Sequence, residues 1–450
     1  MKKFIETIKN IWSIEELRQR ILLTLGLVLI YRVGTYITLP GIDPTALDNF
    51  QSASSSGLLG LVNIFAGGAF SNASIFALGI MPYISASIAI QLFAIVIPYF
   101  QKLQKEGESG RSTLNQYTRL LTILVTGVQG GAYTMFLNSS VPNAIVPNLS
   151  PTLFWLSTMF VLTAGTLFVM WIGERITDKG IGNGISIIIM VGILARLPES
   201  LLQEFTSRET SGGIILFLLE LVFLFAVILA CILLVQGTRR IPVNYAKRNV
   251  VQGGRMMQTG GARQYLPLKI NASGVMPIIF AQAIMFLPAT VAQFANAGQN
   301  SWFMVNFNNP KAAAYNITYM LLIIIFTYFY TAIIINPKQI SDDLKKNNGF
   351  IPGVKPGQKT EEFIDSVISR ITLPGAIFLG FVAIMPAFAM GLGVNDSFAY
   401  FFGGSSMLIM VGVILDTLQT IETHLMNRHY DGLTSKGRIK GRQGYAQASM

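Results

Sequence analysis

The sequence predicts an all-α polytopic membrane protein with ten transmembrane helices and one half-helix that re-enters the membrane. Of its 450 residues, 52% are hydrophobic and only 12% are charged, whereas soluble domains contain about 25% charged residues. Apolar runs long enough to cross a ~30 Å hydrocarbon core recur along the chain. Lys and Arg concentrate in alternate loops between these runs, as expected for a multi-pass topology.

The first 20 residues combine apolar side chains at helical spacing with five Lys and Arg, which predicts an amphipathic helix on the cytoplasmic membrane surface. The apolar run that follows is too long for a signal peptide and has no small-residue cleavage site. The ten predicted spans are 21–39, 75–98, 117–137, 152–172, 184–202, 213–236, 272–294, 315–336, 371–391 and 402–423.

The region before the second span resembles a membrane helix cut in two. Residues 58–66 are apolar, but a helix of about nine residues rises only ~14 Å, half of the hydrocarbon core. Gly67-Gly68 and Ser71-Asn72 then interrupt it. Irregular backbone at membrane depth survives only where it faces protein or a wet cavity. This stretch therefore predicts the lining of a passage; a re-entrant connector that only packs is the alternative.

The distribution of Lys and Arg orients the chain. The N-terminus, the loops after the even-numbered spans up to the eighth, and the tail 424–450 hold 29 of the 33 basic residues when Arg119, at the adjoining end of the third span, is counted with them. The opposite loops and the adjoining end of the fifth span hold only Arg196, Arg208 and Lys311, and Arg32 lies within the first span. Both termini are therefore predicted to be cytoplasmic.

Two cytoplasmic loops are long. Loop 237–270 has seven basic and no acidic residues, and its alternating segments beside paired glycines predict a projecting hairpin. Loop 337–370 contains a Pro- and Gly-rich turn at 349–357 that holds a fixed shape. Membrane orientation requires basic residues near the span ends, but it does not require a projecting basic loop without acidic residues. This loop therefore favours a docking surface for an acidic or anionic partner.

The sequence has no pattern typical of an enzyme or a metal site. Its one cysteine, Cys231, lies in an apolar run, and both histidines lie in the tail. Ionisable residues within the spans are few and include Arg32, Glu220 and Asp416. We predict no catalytic residue, metal or cofactor, and a passive conduit driven by partners. The alternative is an ion-coupled small-solute carrier with a discontinuous helix, although such carriers place carboxylates near the midplane.

Several motifs in order resemble the SecY family of bacterial protein-export channels. They are ALGIMPYISAS at 77–87, KEGESGR at 105–111, GIGNGISIII at 180–189, NYAKR at 244–248, LPLK at 266–269 and NP at 336–337. The resemblance implies two five-helix halves, here 21–202 and 203–423, related by a pseudo-two-fold axis. It also implies a channel that passes unfolded secretory polypeptides across the bacterial cytoplasmic (inner) membrane and releases membrane helices laterally into it.

The resemblance assigns three sets of channel residues. A plug at 57–70 closes the channel from outside, with the apolar plug residues Leu58, Leu59, Leu61, Val62, Ile64 and Phe65. An aliphatic pore ring forms the constriction: Ile80, Ile84, Ile185, Ile189, Met276, Ile279 and Ile409. A lateral gate between spans two and seven is lined by Ser85, Ser87, Gln91 and Gln129. An aliphatic ring can close a channel because water leaves the apolar constriction. Without the resemblance, these isoleucines would be interpreted as ordinary helix-packing residues. Met276 departs from the family's usual isoleucine.

The resemblance also implies partners. These are SecE-like and SecG-like subunits in a heterotrimer, the SecA ATPase, the ribosome, signal sequences and nascent chains. The implied docking residues for SecA and the ribosome are Arg239, Arg240, Lys247, Arg248, Arg255 and Lys355. Their charge suits contacts with the phosphates of ribosomal RNA. Lys355 stands where the family usually has arginine, so the charge is kept but the planar bidentate fork is lost.

Overall fold

The computed structural model describes residues 12, 14–44, 47, 60, 63–140, 150–210, 213–245, 248–252, 255–259, 263–282, 284–285 and 309–436. Its helices are α1 Glu15–Gly34, α2 Met81–Val96, α3 Pro98–Lys105, α4 Glu108–Ser140, α5 Pro151–Lys179, α6 Gly184–Thr210, α7 Ile214–Gln236, α8 Ala313–Ile334, α9 Pro337–Lys346, α10 Gln358–Gly391, α11 Asp396–Ala399 and α12 Gly404–Lys436. Its strands are β1 Thr238–Tyr245, β2 Arg248–Gln252, β3 Arg255–Thr259, β4 Arg263–Lys269 and β5 Gly349–Phe350.

Among the described residues, seven helices are long and apolar enough to cross a membrane: α4, α5, α6, α7, α8, α10 and α12. An eighth crossing arises if α2 and α3, which meet at an angle of 97°, form one bent element. Helix α1 covers most of the predicted first span but carries Arg18, Arg20 and Arg32 among its apolar residues. Within the predicted seventh span, 272–294, residues 276–282, 284 and 285 are helical, and residues 283 and 286–308 lie outside the described part of the chain.

Several predicted boundaries are wrong. The second span begins at Met81 rather than at residue 75, because residues 66–80 form turns and Pro82 occupies the first helical turn, where its missing N–H costs nothing. Helix α10 begins at Gln358, well inside the predicted loop 337–370, and α12 runs past residue 423 to Lys436. These extensions contain charged residues that water can solvate. A prediction based on apolar runs therefore places the end of the span before the end of the helix.

The half-helix of the re-entrant region is described only in part. Gly60 and residues 63–65 are helical, and the chain then turns through residues 66–80. Gly67 and Gly68 have φ values of +64° and +88°, a region that favours glycine because it has no Cβ. The predicted break at these glycines is confirmed. A side chain on Gly165 of α5 would overlap the carbonyl oxygen of Ile75, so this glycine lets the turn pack against the helix.

The two long loops that are predicted to be cytoplasmic form one structure. Strands β1 and β4 pair antiparallel, which confirms the predicted hairpin, and β5 from the second loop adds to the other edge of β1. Residues from both loops share a small apolar core: Ile241, Val243, Leu268, Leu344, Ile351, Ile364 and Ile368. The loop turn is therefore fixed to the hairpin through hydrogen bonds and apolar burial, which the sequence alone did not indicate.

Candidate functional site: a buried apolar interior and a basic platform

The predicted pore ring lies mostly within one continuous apolar core. Ile80, Ile189 and Ile409 are buried, and Ile84, Ile185 and Ile279 are half-buried against the same core. Met276 is 37% exposed at the start of its helix and does not join this core. The described plug residues Ile64 and Phe65 are also buried in it. The ring residues thus come from four separated segments of the chain, and the re-entrant region packs against the same interior.

The re-entrant segment, residues 63–74, is held by side chains from the surrounding helices. The Tyr133 hydroxyl of α4 donates to the carbonyl oxygen of Phe70 at 2.9 Å, and the Tyr31 hydroxyl of α1 donates to Ala66 at 3.3 Å. Within the segment, the Asn63 side chain accepts a hydrogen bond from the Ser71 N–H. These bonds satisfy buried carbonyl groups that water cannot reach. The predicted plug residues Leu58, Leu59, Leu61 and Val62 lie outside the described residues.

The predicted lateral-gate residues form part of a contact between α2 and α8. The Gln91 amide donates to the Ser87 hydroxyl, and the Gln91 carbonyl oxygen accepts from the Tyr330 hydroxyl, both at 3.3 Å. Ser85 donates to the carbonyl oxygen of Met81 in its own helix, so its hydroxyl is used locally. Gln129 is half-buried on α4, the helix that packs beside α2.

Aromatic residues that sequence reasoning missed complete this contact, which we call the gate cluster: Ile88, Phe280 and Tyr330 with Gln91. The Phe280 ring packs edge-on against Tyr330 with centroids 4.7 Å apart, and it also contacts Phe326. Phe280 and Tyr330 are almost completely buried. Phe326 and Tyr330 are four apart in α8, so they share one helix face; that spacing was the available signal.

The predicted docking residues divide into exposed and undescribed ones. Arg239, Arg240 and Lys355 are exposed, on β1 and on the turn that follows β5. The alternation of β1 buries Ile241 and Val243 and leaves Arg240 on the opposite face. Lys247 lies outside the described residues, and the side chains of Arg248 and Arg255, in β2 and β3, also lie outside them. Because β5 pairs with β1, basic residues of both loops belong to one rigid unit.

These features together define a class of protein: a multi-pass helical membrane protein with a buried apolar interior and a basic platform built from two long loops. The SecY family profile matches residues 74–418. The chain is 44% identical over 430 residues to the protein translocase subunit SecY of Streptomyces scabiei, covering 93% of this chain and 97% of that protein. It is 41% identical over 448 residues to the subunit of Thermotoga maritima, covering 97% and 100%. The chain therefore belongs to the SecY family.

Solved structures of the same fold are channels. A structure described as a protein-conducting channel aligns with a TM-score of 0.63 at 16% identity, covering 94% of this chain and 95% of that chain. Another, of Sec61 in the canine ribosome-channel complex, aligns at 0.59 with the same identity and coverage. The family assignment confirms the predicted protein-conducting channel and does not support the small-solute carrier. This is a family of channel subunits, not of enzymes.

Proposed function

We propose that this chain passes unfolded polypeptides through a passage that the aliphatic ring and the plug close at rest. The observation that carries the proposal is the burial of Ile64 and Phe65 in the apolar core that also contains the ring isoleucines. A dry aliphatic constriction binds no ion and can deform around any polypeptide sequence, because it makes no specific polar contact. A structure of a SecY protein in which the plug domain stabilises the closed channel has the same fold, with a TM-score of 0.61 at 16% identity, which supports this assignment.

We also propose that apolar helices leave sideways between spans two and seven, that is, between α2 and the helical residues 276–282, through the gate cluster, which α8 flanks. Among the described residues, one hydrogen bond of the cluster joins α2 to α8, from Tyr330 to Gln91, and the rest of the cluster is apolar. An entering signal helix therefore replaces apolar contacts with apolar contacts of its own. Its transfer from water is worth about 25 cal/mol per Å² of apolar surface, so no other energy source is needed for this step. Ser85, Ser87 and Gln129 complete the polar lining.

The basic platform is the proposed docking site for the ribosome and for the SecA motor. Exposed Arg239, Arg240 and Lys355 belong to one folded unit, so they present a fixed pattern of positive charge. Phosphates of ribosomal RNA and acidic patches of a motor protein both complement such a surface. The solved Sec61 structure describes a related fold on a ribosome. We assign Lys247, Arg248 and Arg255 to the same surface.

The remaining assignments concern the assembly. We propose two five-helix halves, 21–202 and 203–423, in a heterotrimer with SecE-like and SecG-like subunits. The membrane is the bacterial cytoplasmic membrane, with both termini cytoplasmic, because 29 of 33 basic residues fall on that side of the predicted topology. The translocase names of the relatives support this arrangement.

Protease protection tests the proposed function. A signal-bearing unfolded precursor is added to vesicles that contain this chain, a SecE partner, SecA and ATP. We expect ATP-dependent protection that is lost in the Arg240→Glu, Lys355→Glu double variant. Lys102→Glu on α3, an exposed cytoplasmic lysine outside the platform, is the matched control and should retain protection. No protection by the unaltered channel would refute the conduit, and full protection in the double variant would refute docking through the platform.

A further inference from the structure

Four basic residues lie outside the predicted cytoplasmic set: Arg32, Arg196, Arg208 and Lys311. Two of them form ion pairs with carboxylates outside the re-entrant segment. Arg208 binds Glu204 at 2.8 Å and Glu220 at 2.6 Å, and Lys311 binds Asp396 at 2.9 Å. The other two, Arg32 and Arg196, direct hydrogen bonds to the re-entrant segment.

Arg32 approaches the segment from α1. Its Nη1 donates to the carbonyl oxygen of Gly67 at 2.9 Å, and its Nη2 donates to the Tyr36 hydroxyl at 3.2 Å. Gly67 has φ +64°, and an ideal Cβ there would lie 2.9 Å from Arg32 Nη1 and 2.8 Å from the Cα of Gly192. The turn is therefore closed around the arginine, and only glycine fits at this position.

Arg196 approaches the same turn from α6. Its Nη2 donates to the Ser71 hydroxyl at 2.5 Å, and its Nη1 donates to Glu199 at 2.6 Å. The guanidinium lies directly against Gly68, where a Cβ would be 2.6 Å from Nε and 2.7 Å from Nη2.

The Arg196 Nε is buried and has no hydrogen-bond partner among the described residues. Leaving a buried charged donor unpaired is costly. The contact with the segment, rather than optimal solvation of the guanidinium, therefore determines where this side chain lies.

We propose that Arg32 and Arg196 form a two-point latch that holds the re-entrant segment in the closed passage and sets how readily it leaves. The latch rests on the proposed role of this segment as the plug. Both bonds join the segment to helices outside it, so both break when the segment moves out. Hydrogen bonds with an ionised donor are stronger than neutral ones, so they bias a closed–open equilibrium towards the closed state. The two arginines are positioning residues: they do not touch the polypeptide being transported.

Resting ion conductance tests the latch. The full chain, purified with the subunits that accompany it, is placed in planar bilayers without precursor. We compare Arg196→Leu, the double variant Arg32→Leu with Arg196→Leu, and a deletion of 58–66. The control is Arg119→Leu, an ion-paired arginine of α4 that binds Glu174 and does not contact the segment.

We expect the double variant to raise the resting leak by about tenfold, the single variant by less, and the control not at all. Ser71→Ala is a milder change that removes the hydroxyl bound by Arg196, which also donates to the carbonyl oxygen of Gly68 at 3.0 Å; it should raise the leak about threefold and keeps the test valid if the arginine variants fold poorly. In the deletion background, the arginine variants should add no further leak.

Each contrary result overturns a distinct claim. A leak that rises on deletion but not in the arginine or Ser71 variants overturns the latch and leaves the plug intact. A leak that increases further when the arginines are changed in the deletion background means that they stabilise the bundle, which also overturns the latch. A leak unchanged by deletion overturns the plug itself, and the latch with it.

Discussion

Replacing Tyr330 by phenylalanine should make the proposed lateral gate open more readily. The change removes the hydroxyl that donates to Gln91 at 3.3 Å but keeps the ring that packs on Phe280 at 4.7 Å. A neutral hydrogen bond contributes about 1 kcal/mol net. Because this bond ties α2 to α8 on the far flank of the proposed gate and breaks when α2 moves aside for a helix to pass, the closed state alone loses this energy. We expect the open population to rise about fivefold.

The assay is the transport rate of a precursor with a shortened signal sequence, whose limited apolar surface makes gate opening the slow step. Tyr330→Phe should speed it about fivefold, and Gln91→Leu should have an effect of the same sign. The two changes break the same bond, so the double variant should be no faster than the better single variant. Tyr319→Phe on the same helix is the matched control, since Tyr319 is buried away from the gate cluster. Unchanged or slower transport by Tyr330→Phe, or fully additive effects, would refute the reasoning.

Three further predictions concern stability and docking. Arg208→Met should destabilise the protein by about 3–5 kcal/mol, because it leaves two buried glutamates without their cationic partner. Thermal unfolding measures this, and Arg119→Met, which breaks a more exposed pair, should cost less than about 1 kcal/mol; equal losses would contradict the argument. Ile241→Ala should loosen the shared core of the platform and cost about 2–5 kcal/mol there, seen as faster proteolysis of both loops together with unchanged resting leak. Cleavage of only one loop would show that they do not form one unit. Ribosome binding should weaken as salt rises, and Arg240→Gln should reduce the slope of log affinity against log salt by about 1; an unchanged slope would exclude a phosphate contact at this residue.

Local patterns in the sequence determined the class of protein. Hydrophobic runs and alternating basic loops depend on neighbouring residues and on the membrane, so they indicate the spans before any tertiary contact is known. The glycine pair at 67–68 marked the break before the second span, because positive φ is a local property of glycine. The alternation of residues 240–245 likewise predicted a strand of the hairpin. Helix ends were less well predicted. The helical turns that extend beyond the predicted spans are rich in charged residues, so the hydrophobic pattern does not mark them.

The tertiary structure decided which distant residues meet. Tyr330 and Gln91 are 239 residues apart, and Arg196 lies 125 residues from Ser71. Strand β5 joins β1 from a separate loop. No periodicity in the chain encodes such pairs, because each depends on how whole helices and loops are placed against one another. The sequence by itself therefore determined a multi-pass channel of this family. Only the fold decided that Arg32 and Arg196 bind the re-entrant turn, since a hydrogen bond needs two groups brought within about 3 Å.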